Sequence, residues 1–137
     1  MEVLMPTLPW TQPTTDVPAT ALVMASRFTL NSYRDVPGFL LAALRIHRQM
    51  LRAPGVVGVS LIARPTAKTF YTLSAWRDRA ALDAAVREQP HAATMARYRT
   101  SMSDAVFTFW EHDTTTPPGW PEAHRRLEEA KTAANDA

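Results

Sequence analysis

Apolar and polar positions along this chain repeat with two different periods, and each change of period marks an element. Residues 21–30, ALVMASRFTL, alternate every second position, which predicts a strand with Leu22, Met24, Ser26, Phe28 and Leu30 on one face. Residues 36–53 switch to the helical period. Phe39, Leu40, Ala43, Leu44, Ile46, Met50 and Leu51 make a wide apolar face, while Arg45, Arg48 and Arg52 mark the wet side. Asp35 followed by Pro37 suits a capped helix start, and Pro54-Gly55 suits its end. Residues 56–64, VVGVSLIAR, are rich in β-branched side chains and read as a second strand. Pro65 to Lys68 makes a turn into a third strand, 69–76, TFYTLSAW. A second helical region covers 78–88 and 90–102, interrupted at Pro90, and residues 105–112, AVFTFWEH, form the last strand.

The resulting order, β-α-β-β-α-β, predicts an α+β, ferredoxin-like domain over residues 21–112. Its four strands form an antiparallel sheet with both helices on one face. The opposite face then needs a cover. Val23, Val57, Val59, Leu61, Tyr71 and Leu73 are candidates for an apolar patch there. Packing two such sheets together would bury both, so a homodimer with a barrel-like interface is expected.

Two flanks lie outside this pattern. Residues 1–20 carry Pro6, Pro9, Pro13 and Pro18, which excludes a helix or a central strand and predicts an extended arm. Trp10 within it argues for docking on a surface, because a large ring gains by burial. Residues 113–137 read as a proline-punctuated linker, TTTPPGWP, and then a short, highly polar helix peripheral to the core.

Composition narrows the chemistry. The 137 residues suit one domain with an ordinary core. There is no cysteine, which removes disulfides, thiolate nucleophiles and cysteine-type metal sites, and suits a cytoplasmic setting. The formal charge of +2 is small and the arginines are mixed with acids, so nucleic acid is not an expected partner. No apolar run is long enough to span a membrane, and no leader-like pattern opens the chain. There is no GxSxG elbow, P-loop or GxGxxG, and no carboxylate pair suited to acid–base hydrolysis. Two histidines, His47 and His91, without acidic partners make a poor metal site, and none is expected.

The order of elements, with TLSAW closing the third strand and RAALDAAVREQPH opening the second helical region, resembles the antibiotic biosynthesis monooxygenase superfamily. That resemblance covers roughly residues 21–112 and implies a dimeric α+β barrel. It also implies either of two chemistries: oxygenation of polyketide-type substrates without metal or flavin, or heme binding and degradation. Trp76 matches the strand tryptophan that shapes the porphyrin or the substrate pocket in such proteins. His91 falls in the helical region that carries the heme-ligating histidine. Ser26 stands where the heme branch has an asparagine, a departure that argues against heme degradation.

On their own chemistry, His91, Met95, Tyr98 and Met102 recur at helical spacing and line one stripe, on which an imidazole serves as general base or axial ligand. An ordinary core histidine bonded to backbone fits the same pattern. His47 lies on the apolar side of the first helix and could border the same cavity or simply be core. Trp76 shares strand parity with Phe70, Thr72 and Ser74, and Ser26 sits between Met24 and Phe28. An apolar cavity edged by a few hydroxyls is the usual makeup of a small-molecule pocket, although strand aromatics are more often plain core. The candidate site is therefore His91 and Trp76 as catalytic residues, with Ser26, Ser74, Thr72, His47, Met95 and Tyr98 around a flat aromatic substrate. The expected function is that of a small oxidoreductase, monooxygenase-like, with heme or with no cofactor. A non-oxidative ligand-binding, isomerase or stress-response dimer is the alternative.

Overall fold

The computed structural model describes residues 7–136. Its elements are β1 (Thr7–Thr11), β2 (Thr20–Leu30), α1 (Val36–Leu51), β3 (Val56–Arg64), β4 (Thr69–Trp76), α2 (Arg79–Arg87), α3 (His91–Tyr98), β5 (Met102–Asp113) and α4 (Trp120–Asp136). The strands form one antiparallel sheet in the order β1-β3-β4-β2-β5. Without β1 this is the ferredoxin-like order, with α1, α2 and α3 on one face, as the periodicity predicts.

Local chemistry explains most boundaries. Asp78 caps α2 by accepting from the Ala81 N–H at 2.8 Å. Asp35 does not play the capping role expected of it. It ends a short 3-10 turn capped by Ser32, and its side chain makes no capping hydrogen bond to α1. Pro90 separates α2 from α3, and the Gln89–Pro90 peptide is cis. The second helical region stops at Tyr98, not at 102. One 3-10 turn follows, and Met102 already begins β5. Gly55, with φ at +84°, makes the turn into β3 that a side chain would strain.

The helix-side face holds two apolar clusters. Phe28, Phe39, Phe70 and Tyr98 meet edge to face at one end. Met50, Val59, Trp76, Leu82 and Ala85 pack at the other. Val59 and Leu61 belong to this side, not to the outer patch assigned from alternation. A bulge between Val56 and Gly58 inserts one extra residue and flips the parity after Val57. Val23, Val57, Tyr71 and Leu73 do face outward.

That outer face is covered by the chain itself. Ala123 and Leu127 of α4 are fully buried among Val23, Ala25, Leu73, Ala75 and Trp110. Ion pairs Arg27–Glu128 at 2.7 Å and Lys131–Asp104 at 2.8 Å fasten the helix at its rim. The C-terminal helix is thus part of the core, not peripheral, and it occupies the face for which the sequence suggests a second copy. Within the proline-rich arm, residues 1–6, Pro6 included, lie outside the described residues. Thr7–Thr11 is an edge strand on β3, where Ser60 donates to the Leu8 carbonyl at 2.7 Å and Trp10 rests on Gly58. The arm docks on its own sheet.

Candidate active site

Between the helical layer and the sheet lies a cavity of about 320 Å³, within the range usual for small-molecule sites. Strand parity brings Met24, Ser26 and Phe28 of β2 beside Phe70, Thr72, Ser74 and Trp76 of β4. Helical spacing brings His47 and Met50 from α1, Leu82 and Val86 from α2, and His91 and Met95 from α3 above them. Of the residues singled out from the sequence, Ser26, His47, Thr72, Ser74, Trp76, His91 and Met95 all line this cavity. Tyr98 does not. It sits a turn further along, packed on Phe39 with ring centroids 5.1 Å apart, as a core aromatic.

The polar groups are few and ordered. Trp76 is fully buried, and its indole N–H donates to Ser74 Oγ at 2.8 Å. Ser74 accepts there, so its own O–H remains free to donate. Ser26 and Thr72 hydrogen-bond to each other across the β2–β4 pair. One of them donates, leaving the other's O–H free. Two hydroxyl donors therefore point chemistry at an oxygen atom in an otherwise apolar hollow.

His91 opens α3 and is held at both ends. Its backbone N–H donates to Gln49 Oε1 at 3.1 Å, and Gln49 Nε2 donates to the Ala85 carbonyl at 2.9 Å, so one side chain ties α1, α2 and α3 together. His91 Nδ1 lies 3.1 Å from the Val86 carbonyl. A carbonyl only accepts, so Nδ1 carries the proton and Nε2 is the basic nitrogen. Burial pushes the His91 pKa below the ordinary 6.5, partly countered by that hydrogen bond. Burial lowers His47 likewise. Both shifts favour the neutral ring.

The rim carries residues that the sequence reading passed over. Phe107 and Phe109 of β5 remain 48% and 40% exposed at the cavity edge. Arg79 pairs with Asp83 at 3.1 Å and lies 4.7 Å from the Phe109 ring centre. Alternation along β5 marks both phenylalanines as one face, but not which face borders a hollow.

The same residues can be tested against heme. The His91 tautomer suits an axial ligand. The rest does not fit: two propionates need cationic partners, and the cavity lining offers one cation, Arg79, already paired with Asp83. Among the described residues no group of three or more metal-ligating side chains occurs.

Comparison with known proteins agrees with this architecture. Residues 32–97 match the model of the antibiotic biosynthesis monooxygenase family. That match spans just under half of the chain and supports its likeness to that superfamily. No curated protein matches it. Among solved structures, it is similar to SnoaB, a cofactor-independent oxygenase from Streptomyces nogalater, seen as a mutant. The TM-score is 0.55 at 16% identity, over 76% of this chain and 99% of that one. An antibiotic biosynthesis monooxygenase candidate from Nitrosomonas europaea gives 0.59 at 15% identity, over 72% and 94%. A monooxygenase candidate from Fusobacterium nucleatum gives 0.66 at 6% identity, over 80% of this chain, which spans about half (52%) of that protein's length. Identities this low show a shared fold and by themselves carry no activity.

Proposed function

We propose that this protein oxidises a neutral, flat, phenol-type aromatic substrate directly with dioxygen, using His91 as the base. The observation that carries the reading is the His91 ring. It lines the apolar cavity, burial favours its neutral form, and it is oriented through Val86 so that Nε2 is the basic nitrogen. In this reading Nε2 takes the phenolic proton. The free hydroxyls of Ser74 and of the Ser26–Thr72 pair hold the resulting oxyanion in a site that excludes water. The electron-rich ring passes one electron to dioxygen, and the two radicals combine into a new C–O bond. His91 returns its proton to the peroxide, then removes the ring C–H proton as the O–O bond breaks. The products are a quinone and water, so one substrate and one dioxygen balance without an added reductant. Trp76 shapes the pocket against the ring plane, and His47 and Met95 form walls.

Oxygen uptake with a panel of anthrone- and naphthol-type phenols tests the reading. Turnover is expected to give a quinone, with the acid limb of kcat/KM falling below pH 6.5. His91→Ala is expected to lower kcat/KM by roughly a hundredfold or more and remove that limb. Turnover and limb unchanged in His91→Ala would remove the base. Tight binding of the panel with no oxygen consumed would favour the non-oxidative ligand-binding alternative.

A further inference from the structure

The outer surface of the helical layer carries a second concavity, of about 950 Å³, separate from the cavity beneath. One wall is a row on α1, Arg45, Arg48 and Arg52, spaced i, i+3, i+7 and therefore on one helical face over roughly 10 Å. Arg77, at the turn between β4 and α2, joins them from the other side. The floor is small and apolar: Ala80, Ala81, Ala84 and Ala85 of α2. Pro54-Gly55 and Gln89-Pro90 close the two ends. Arg45, Arg48 and Arg52 are exposed, and none of the three forms an ion pair with a described residue. Most other arginines are engaged with carboxylates or rings. Charge is also segregated along the chain. Residues 36–101 hold ten basic side chains against three acidic ones, whereas residues 102–137 hold three against seven.

We propose that this groove docks an acidic amphipathic helix of a partner protein. A small phosphate needs donors converging on one point, whereas these guanidinium groups stand along a rim with a wide alanine floor between them. A helix with an apolar stripe and glutamates or aspartates beside it matches both features. The stripe rests on the alanines and the carboxylates meet the arginine forks. A cylinder of about 5 Å radius rising 1.5 Å per residue fills the concavity with about eight residues, two turns. Glu88 is the only acid lining the groove, at its proline-closed end. The docked helix would lie on the roof of the catalytic cavity, because Gln49 lines this groove while its amide oxygen holds the His91 backbone.

The test uses the full chain and a dye-labelled synthetic peptide of about 15 residues, long enough to form a helix, with leucine at i, i+3, i+4 and i+7 and glutamate flanking. Fluorescence anisotropy is expected to show saturable, salt-sensitive binding. The triple variant Arg45→Ala/Arg48→Ala/Arg52→Ala, which keeps good helix formers on exposed positions, is expected to weaken it at least about tenfold. Ala84→Trp is expected to do the same without changing charge, by filling the exposed floor. Arg125→Ala on α4 is expected to leave it unchanged. Absence of saturable binding would overturn the proposal. So would equal binding of a scrambled peptide of the same composition, equal loss in Arg125→Ala, or displacement by inorganic pyrophosphate or a DNA duplex more readily than by unlabelled peptide. Each of these readouts is independent of whether the cavity below turns over a phenol.

Discussion

At the residue scale three histidines are half-buried and their protonation is disfavoured, and that has measurable consequences. His47, His91 and His124 all have pKa values below 6.5, burial being the largest cause in each and Arg64 and Arg27 adding repulsion at His124. Around pH 6 the unfolded chain therefore binds protons that the folded chain does not. The stability these histidines contribute is whole above pH 6.5. It declines as the pH falls from 6.5 toward their folded-state values, and the loss levels off below them. Urea midpoints between pH 7.5 and 5 are expected to fall accordingly, and His47→Gln is expected to flatten part of the slope. A midpoint independent of pH in this window would mean that the rings are solvated. The Ser26–Thr72 pair gives a second residue-level prediction. Ser26 is 1% exposed, so Thr72→Val strands the buried Ser26 hydroxyl and is expected to cost about 1–3 kcal/mol. Adding Ser26→Ala is expected to cost less than its own single substitution, because no partner is then left unpaired. A strictly additive double-mutant cycle in chemical denaturation would show the two hydroxyls to be independent.

At the element scale, β1 shows how a segment that looks unstructured becomes part of a sheet. Its prolines confine it to an edge, and its anchor is Trp10 lying where Gly58 has no side chain. A methyl group at position 58 would collide with that ring. Gly58→Ala is therefore expected to destabilise by about 1–3 kcal/mol. In Trp10→Ala the same substitution is expected to cost much less, and proteolysis near residue 10 reports whether the arm has been released. The strands β2 to β5 were legible, β2 from period-2 alternation and β3 from its β-branched run. So were Ser26, Thr72, Ser74 and Trp76, whose parity alone places them together, and His47, His91 and Met95, whose helical spacing points them downward. What was not legible has physical causes. The bulge at Val56–Gly58 reverses the facing of Val59 and Leu61, and nothing local in VVGVS announces it. Tyr98 shares the spacing of His91 but lies at the far end of an eight-residue helix, over a different cluster. The docking of α4 rests chiefly on Ala123 and Leu127 in an otherwise charged sequence, too sparse a stripe to distinguish from a solvated helix.

At the scale of the whole molecule, both faces of one sheet are apolar and both are covered within a single chain. The helix-side cover is continuous through short turns, but α4 is reached through residues 114–119, TTTPPG, and contributes only two fully buried side chains. Removing it would bare Val23, Ala25, Leu73, Ala75, Val106 and Trp110 together, a contiguous apolar patch of the kind that soluble monomers rarely expose. Two such faces are self-complementary, and a two-fold pairing of sheets buries both at once. A chain ending at Asp113 is therefore expected to self-associate into dimers or larger species in sedimentation velocity, at concentrations where the full chain does not. Within the full chain, Leu127→Asp is expected to shift the distribution the same way, because a carboxylate cannot remain in that apolar contact without partners. Arg125→Ala, on the exposed side of the same helix, is expected to leave it unchanged. If the truncated chain stays monomeric with an unchanged urea midpoint, α4 is dispensable and the face needs no cover. If the full chain is already a dimer, as the truncated one is, α4 covers the face without governing association, and the second copy docks elsewhere.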